Sequence, residues 1–112
     1  MRNHARASDI TVAMNGTQEL KVAVAQFTVR REPEWNLDII DGYAWQAADA
    51  GARLLVLPEG LIARDGDDDM FAAAHAQPLD GPFVTGLRRI SEERHITLMG
   101  AVHAVSGAAD AV

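Results

Sequence analysis

The chain has 112 residues, with 10 basic and 16 acidic side chains and a formal net charge of −6, a length that suits one domain at most. That acidic balance gives no electrostatic footprint for nucleic acid or an anionic membrane surface, and no apolar run approaches the ~18 residues a membrane span requires. Hydrophobic residues make up 48%, which is too apolar for a disordered chain, and the lack of any cysteine excludes disulfide scaffolds, thiolate zinc sites and a cysteine nucleophile within these residues.

Residues 1–20 show neither strand nor helix periodicity and read as a flexible N-terminal tail. Arg2 and Arg6 are not followed by the apolar core of a targeting peptide, so a cytoplasmic location is the default expectation. Order is expected from Lys21. The stretch Lys21 to Val29 is short and rich in Val and Ala, as in a strand buried on both faces. Pro33 then suits the first turn of a helix. From Glu34 to about Ala50 the residues Trp35, Ile39, Ile40, Tyr43, Ala44 and Ala47 form one helical stripe, and Gly51 stands where helices commonly stop.

Arg53-Leu-Leu-Val-Leu57 predicts a second buried strand, ended by Pro58. Residues 59–81 form a long connection with an acidic run at Asp65, Asp67, Asp68 and Asp69, and with one helical turn expected over Ala72 to Ala76. Asp80-Gly81-Pro82 signals a helix start. A helix from Pro82 to Arg94 should bury Phe83, Val84, Leu87 and Ile90, with Arg88/Glu92 and Arg89/Glu93 spaced as i,i+4 ion pairs on its outer face. Ile96 to Ala104 reads as a third strand. The order β-α-β-loop-α-β predicts an α/β layer structure whose outer strands leave open edges.

Two phosphate- and metal-like patterns fail on inspection. Gly81-Pro-Phe-Val-Thr-Gly86 has the glycine spacing of a phosphate loop, but Leu87-Arg88 stands where a lysine and a hydroxyl residue are needed. The acidic run resembles the opening of a calcium loop, yet Met70 occupies the sharp-turn glycine position and Ala76 replaces the bidentate glutamate. His4, His75, His95 and His103 lie at no metal-ligand spacing. No metal and no organic cofactor are expected. Glu59 is different, because it directly follows an apolar strand and so should stand at the C-terminal edge of the sheet, where α/β sites assemble. With apolar walls it would suit general-base work. On position alone, it fits a helix cap or salt-bridge partner equally well.

Taken in order, Lys21-Val-Ala-Val-Ala-Gln-Phe27, Asn36 and Leu54-Leu-Val-Leu-Pro-Glu59 resemble the opening of the nitrilase superfamily of carbon–nitrogen hydrolases. Ile62-Ala-Arg-Asp65 and Gln77-Pro-Leu-Asp-Gly81 look most like the branch that hydrolyses deaminated glutathione, and Gly100 fits as well. The resemblance implies an α-β-β-α sandwich that pairs with a second subunit, of which residues 21–112 would be a partial carbon–nitrogen hydrolase domain. It also implies a catalytic glutamate, lysine and cysteine acting on a small-molecule amide. Glu59 matches the glutamate, the general base that takes the thiol proton. Lys21 opens the first strand and does not match the lysine, which comes later in the family, and no cysteine is present. The expectation is an N-terminal part of an amidase, inactive and marginally stable alone, with a second copy or a complementing C-terminal fragment as its protein partner. The alternative is a non-catalytic half-domain whose open sheet edge pairs with another chain.

Overall fold

The computed structural model describes residues 10–14 and 20–105. Its elements are β1 (Ile10–Met14), β2 (Lys21–Ala25), α1 (Pro33–Asp49), β3 (Leu54–Val56), α2 (Phe71–Ala74), α3 (Pro82–Arg94) and β4 (Thr97–Met99). They build one sheet in the order β1-β2-β3-β4, with β1 antiparallel to β2 and the other pairs parallel. Each parallel neighbour is reached through a helix in the same sense along the sheet. Right-handed crossovers then put α1 and α3 on one face. The result is an α/β arrangement with one sheet and one main helical layer, compatible with part of a nitrilase-like fold.

Ends of α1 and α3 follow local chemistry. Pro33 and Pro82 begin the two helices, each supplying a preset φ where no amide donor is required. Gly51 takes φ +89°, and its N–H donates to Ala48 O while that of Ala52 donates to Ala47 O. These paired bonds close α1 in a Schellman motif. At the start of α3 the cap is remote in sequence: Phe83 N–H donates to Gln77 Oε1 at 3.0 Å. The phosphate-loop-like glycines therefore serve packing and turning. Gly81 precedes the first residue of α3, and a Cβ on Gly86 would lie 2.7 Å from Leu37 Cδ1 of α1.

Several expectations are corrected. Ile10–Met14, expected within the tail, pairs along its length with β2. Its signal was the alternation Ile10-Thr-Val-Ala-Met14 followed by Asn15-Gly16, a dipeptide typical of hairpin sequences. The strand expected from Lys21 to Val29 ends at Ala25, and the one expected from Ile96 to Ala104 spans Thr97–Met99. β2 ends with its last pair to β1, Ala25↔Ile10, and β4 is limited by β3, which offers it three paired residues. Burial is one-sided: Ala23, Ala25 and Leu55 are buried while Val24 and Met99 are exposed, so the strands are covered on one face only.

The α1 stripe holds except at Trp35, which is exposed beneath the Arg30 guanidinium, 5.5 Å from the ring centroid. In α3, Phe83 and Ile90 are buried, but Val84 and Leu87 are half-buried. The short helix after the acidic run is Phe71–Ala74, not Ala72 to Ala76. Among the described residues, Arg88/Glu92 and Arg89/Glu93 close no ion pair. Arg94 instead reaches Asp41 of α1 through two bonds of 2.8 and 3.1 Å. No described helix is long and apolar enough to cross a membrane.

Candidate active site

A cleft of about 520 Å³ opens at the C-terminal ends of β2 and β3. Its walls come from Phe27 to Val29 after β2, Pro58 to Gly60 after β3, the segment around Arg64 to Asp69, and His103 beyond β4. This is where parallel strands stop and their connecting loops diverge, leaving space above the sheet. Phe27 ties the cleft to the core, stacking on Tyr43 of α1 with ring centroids 5.1 Å apart.

Glu59 stands in this cleft, on the turn that follows β3. The turn is sharp because Gly60 adopts φ +62°, a left-handed conformation that costs most side chains about 1–2 kcal/mol. Glu59 is exposed, and among the described residues its carboxylate makes no hydrogen bond and no ion pair. Among the described residues it caps no helix and bridges to no cation. The apolar walls expected around it are not there: Arg64, Asp65, Asp68, Asp69 and His103 make much of the lining polar and charged.

The acidic run spends its side chains on local turns. Asp65 Oδ1 accepts from Asp67 N–H at 2.8 Å and Asp68 Oδ1 from Met70 N–H at 3.0 Å, the usual use of aspartate in turns. Asp65 also pairs with Arg31, whose guanidinium lies 4.4 Å over the Phe71 ring. Phe71 stacks in turn on His75. Among the described residues no group of three or more His, Asp or Glu side chains is arranged to hold a metal ion.

Lys21 lies at the opposite, N-terminal end of β2, and its Nζ donates to Ala50 O at 3.2 Å. A cation there complements the carbonyls ending α1. His103 does line the cleft, while its carbonyl accepts from Gln77 N–H.

Asn36 had no role assigned from sequence. It is fully buried, and its side chain is fully used. Its Oδ1 accepts from Arg30 N–H at 2.8 Å, and its Nδ2 donates to Arg30 O at 2.9 Å and to Ile62 O at 3.0 Å. Only this amide orientation satisfies one donor and two acceptors. The sequence signal was a polar residue on the core-facing side of α1, next to the Ile39/Ile40 stripe.

No protein-family model matches the chain and no solved structure matches it. Over 88 residues the chain is 36% identical to the hydrolase Rv0480c of Mycobacterium tuberculosis (strain ATCC 25618 / H37Rv), covering 79% of this chain and 30% of that protein. Over 85 residues it is 39% identical to the deaminated glutathione amidase of Escherichia coli O157:H7, covering 76% of this chain and 32% of that protein. The chain thus spans about 30% of the length of the curated relatives it matches. Over most of its length the chain is thus similar to about a third of these hydrolases, and its α/β layer and strand-Pro-Glu edge fit the nitrilase-like resemblance read from the sequence.

Proposed function

We propose that this chain supplies the general base of an amide-hydrolysing site, and that the base is Glu59. The observation that carries the reading is a carboxylate with no partner, held in a cleft at the C-terminal edge of a parallel sheet. A structural cap or salt bridge would show an acceptor bond or a cation, and Glu59 has neither among the described residues. A free carboxylate in an open cleft is available to accept a proton.

The substrate class is a small non-peptide amide, of which deaminated glutathione is the example named by one relative. In the proposed reaction the carboxylate takes the proton of a thiol, and the thiolate attacks the amide carbon. The tetrahedral oxyanion is stabilised by a cation, the leaving amine takes back the proton held by the carboxyl group, and water cleaves the resulting thioester. None of the 112 residues is a cysteine, so the nucleophile must come from another polypeptide segment, and this chain by itself is inactive on amides.

Mixing the purified chain with the remaining segment of the E. coli relative, and measuring amine release from deaminated glutathione and ammonia release from primary amides, tests the reading. Activity should appear in the mixture and fall by about 10²–10⁴-fold with Glu59→Gln. An active mixture in which Glu59→Gln behaves like wild type would remove Glu59 from the mechanism. Release of neither amine nor ammonia by a mixture that co-purifies as a complex would count against the amidase reading itself.

A second reading is a pairing module, and the uncovered sheet face favours it. Val24 and Met99 are exposed on that face, and a groove of about 380 Å³ lies beside β4 between Leu87, Leu98 and Val102. The partner would be a second copy or a complementing segment. Sedimentation of the pure chain as a monomer across the micromolar range would speak against self-pairing.

A further inference from the structure

The Glu59 turn is held on two sides: toward β4, Leu61 N–H donates to Ala101 O at 3.1 Å, and toward α1 the hold runs through one side chain. Three residues beyond Glu59, Ile62 O accepts from Asn36 Nδ2, and two residues later Arg64 N–H donates to Arg30 O at 2.9 Å. Arg30 is itself held by Asn36 through both its N–H and its C=O. One buried side chain thus joins α1, the loop after β2 and the segment leaving Glu59. Outside this knot, Arg31 pairs with Asp65, so the same loop holds the far side of the segment as well.

The geometry points to Asn36 as the positioning residue of the Glu59 site: its amide locks the two loops that form the cleft into one unit, and thereby fixes where the Glu59 carboxylate stands. The inference rests on the reading of Glu59 as the base, but it concerns geometry and is tested without turnover. An apolar residue at position 36 would leave the Ile62 C=O buried, and the Arg30 N–H part-buried, without the partner each now has. The loops would then separate to find water. Buried polar knots of this kind specify one arrangement where packing alone would permit several.

The test is NMR hydrogen exchange on the full 112-residue chain. In the wild type, the Arg30 and Arg64 amides should open together, at a common rate slower than those of Arg31 and Gly66. Asn36→Ala should speed both by about tenfold or more, while core amides such as that of Leu55 keep their protection. In the same variant the Glu59 backbone amide and side-chain carboxyl resonances should move or broaden. Ile90→Val, a core change of comparable modest cost on α3, should leave the Glu59 resonances and the Arg30 and Arg64 rates in place. Independent opening of Arg30 and Arg64 in the wild type overturns the inference even if no variant folds. So does a Glu59 signature unchanged in Asn36→Ala, or one equally disturbed in Ile90→Val. An intact lock in a chain that never completes an amidase would sink the functional reading and leave this one standing.

Discussion

The two faces of the sheet are built from the same kinds of residue and meet different fates. On one face Ala23 and Leu55 are fully buried, with Ala25 beside them, under α1 and α3. On the other, Val24 is 37% exposed and Met99 56% exposed, with Val22, Leu54 and Val56 only half-covered. Strand alternation sends neighbours to opposite faces, so the contrast is one of coverage. Helices reached by two crossovers of the same hand can pack on one side only. The lesson is that apolar composition does not report burial until the layers are placed.

The largest expected effect comes from breaking the covered side. Phe83 is fully buried where α3 meets the core, and Phe83→Ala should cost about 3–5 kcal/mol in urea unfolding. A loss below about 1 kcal/mol would mean that the helical layer is not packed as described. Next is the turn that leaves β3 at the edge of the sheet. Gly60→Ala forces a Cβ into φ +62°, 3.1 Å from Arg64 Cδ, and should cost about 1–2 kcal/mol. An unchanged Tm would show that the turn relaxes freely.

A smaller effect is expected where the helical layer is joined at its surface. The Asp41 hydrogen bond and charge raise the Arg94 pKa above its ordinary value, against a smaller lowering by burial. A raised cationic pKa contributes stability that is present below the unfolded value and lost only as pH climbs through the folded one. That window lies in strong alkali, so the Arg94 contribution should stay constant from about pH 7 to 10. Both side chains are about one-third exposed, and solvent screening holds the expected cost of Arg94→Met to about 0.5–1 kcal/mol. Denaturant titrations at the two pH values check both statements. The smallest effect should come from the open face. Val24→Thr should change monomer stability by less than about 0.5 kcal/mol, and a larger loss that grows with protein concentration would show the face covered by self-association.

Legibility followed the range of the interactions. The bounds of α3 agree with the sequence reading and those of α1 lie within one residue of it, because proline at the first turn of each helix and a left-handed residue after the last turn, Gly51 for α1 and His95 for α3, act on their own neighbours. β1 was missed although Ile10–Met14 alternates, since a strand exists only through the partner it finds, and that partner is β2. The placement of Glu59 at a sheet edge could be read from the five apolar and proline residues before it. That its carboxylate has no partner among the described residues could not, since that depends on what every other loop brings to the cleft. Trp35, expected in the apolar stripe, is exposed and Asn36 is buried for the same reason: the neighbours of α1 make an amide, and not the indole, fit the interior at the head of the helix.

By itself, then, the sequence determined the helix positions, the order of strands and helices from Lys21 onward, the glutamate after Pro58, and the absence of any thiol among these residues. The tertiary structure alone decided that the sheet has one covered face and that Asn36 binds two loops into one. It also decided that Glu59 stands exposed and, among the described residues, unbridged. Propensities and caps act over a few residues, whereas burial, hydrogen-bond satisfaction and exposure are settled between segments brought together from 26 residues apart, as with Asn36 and Ile62.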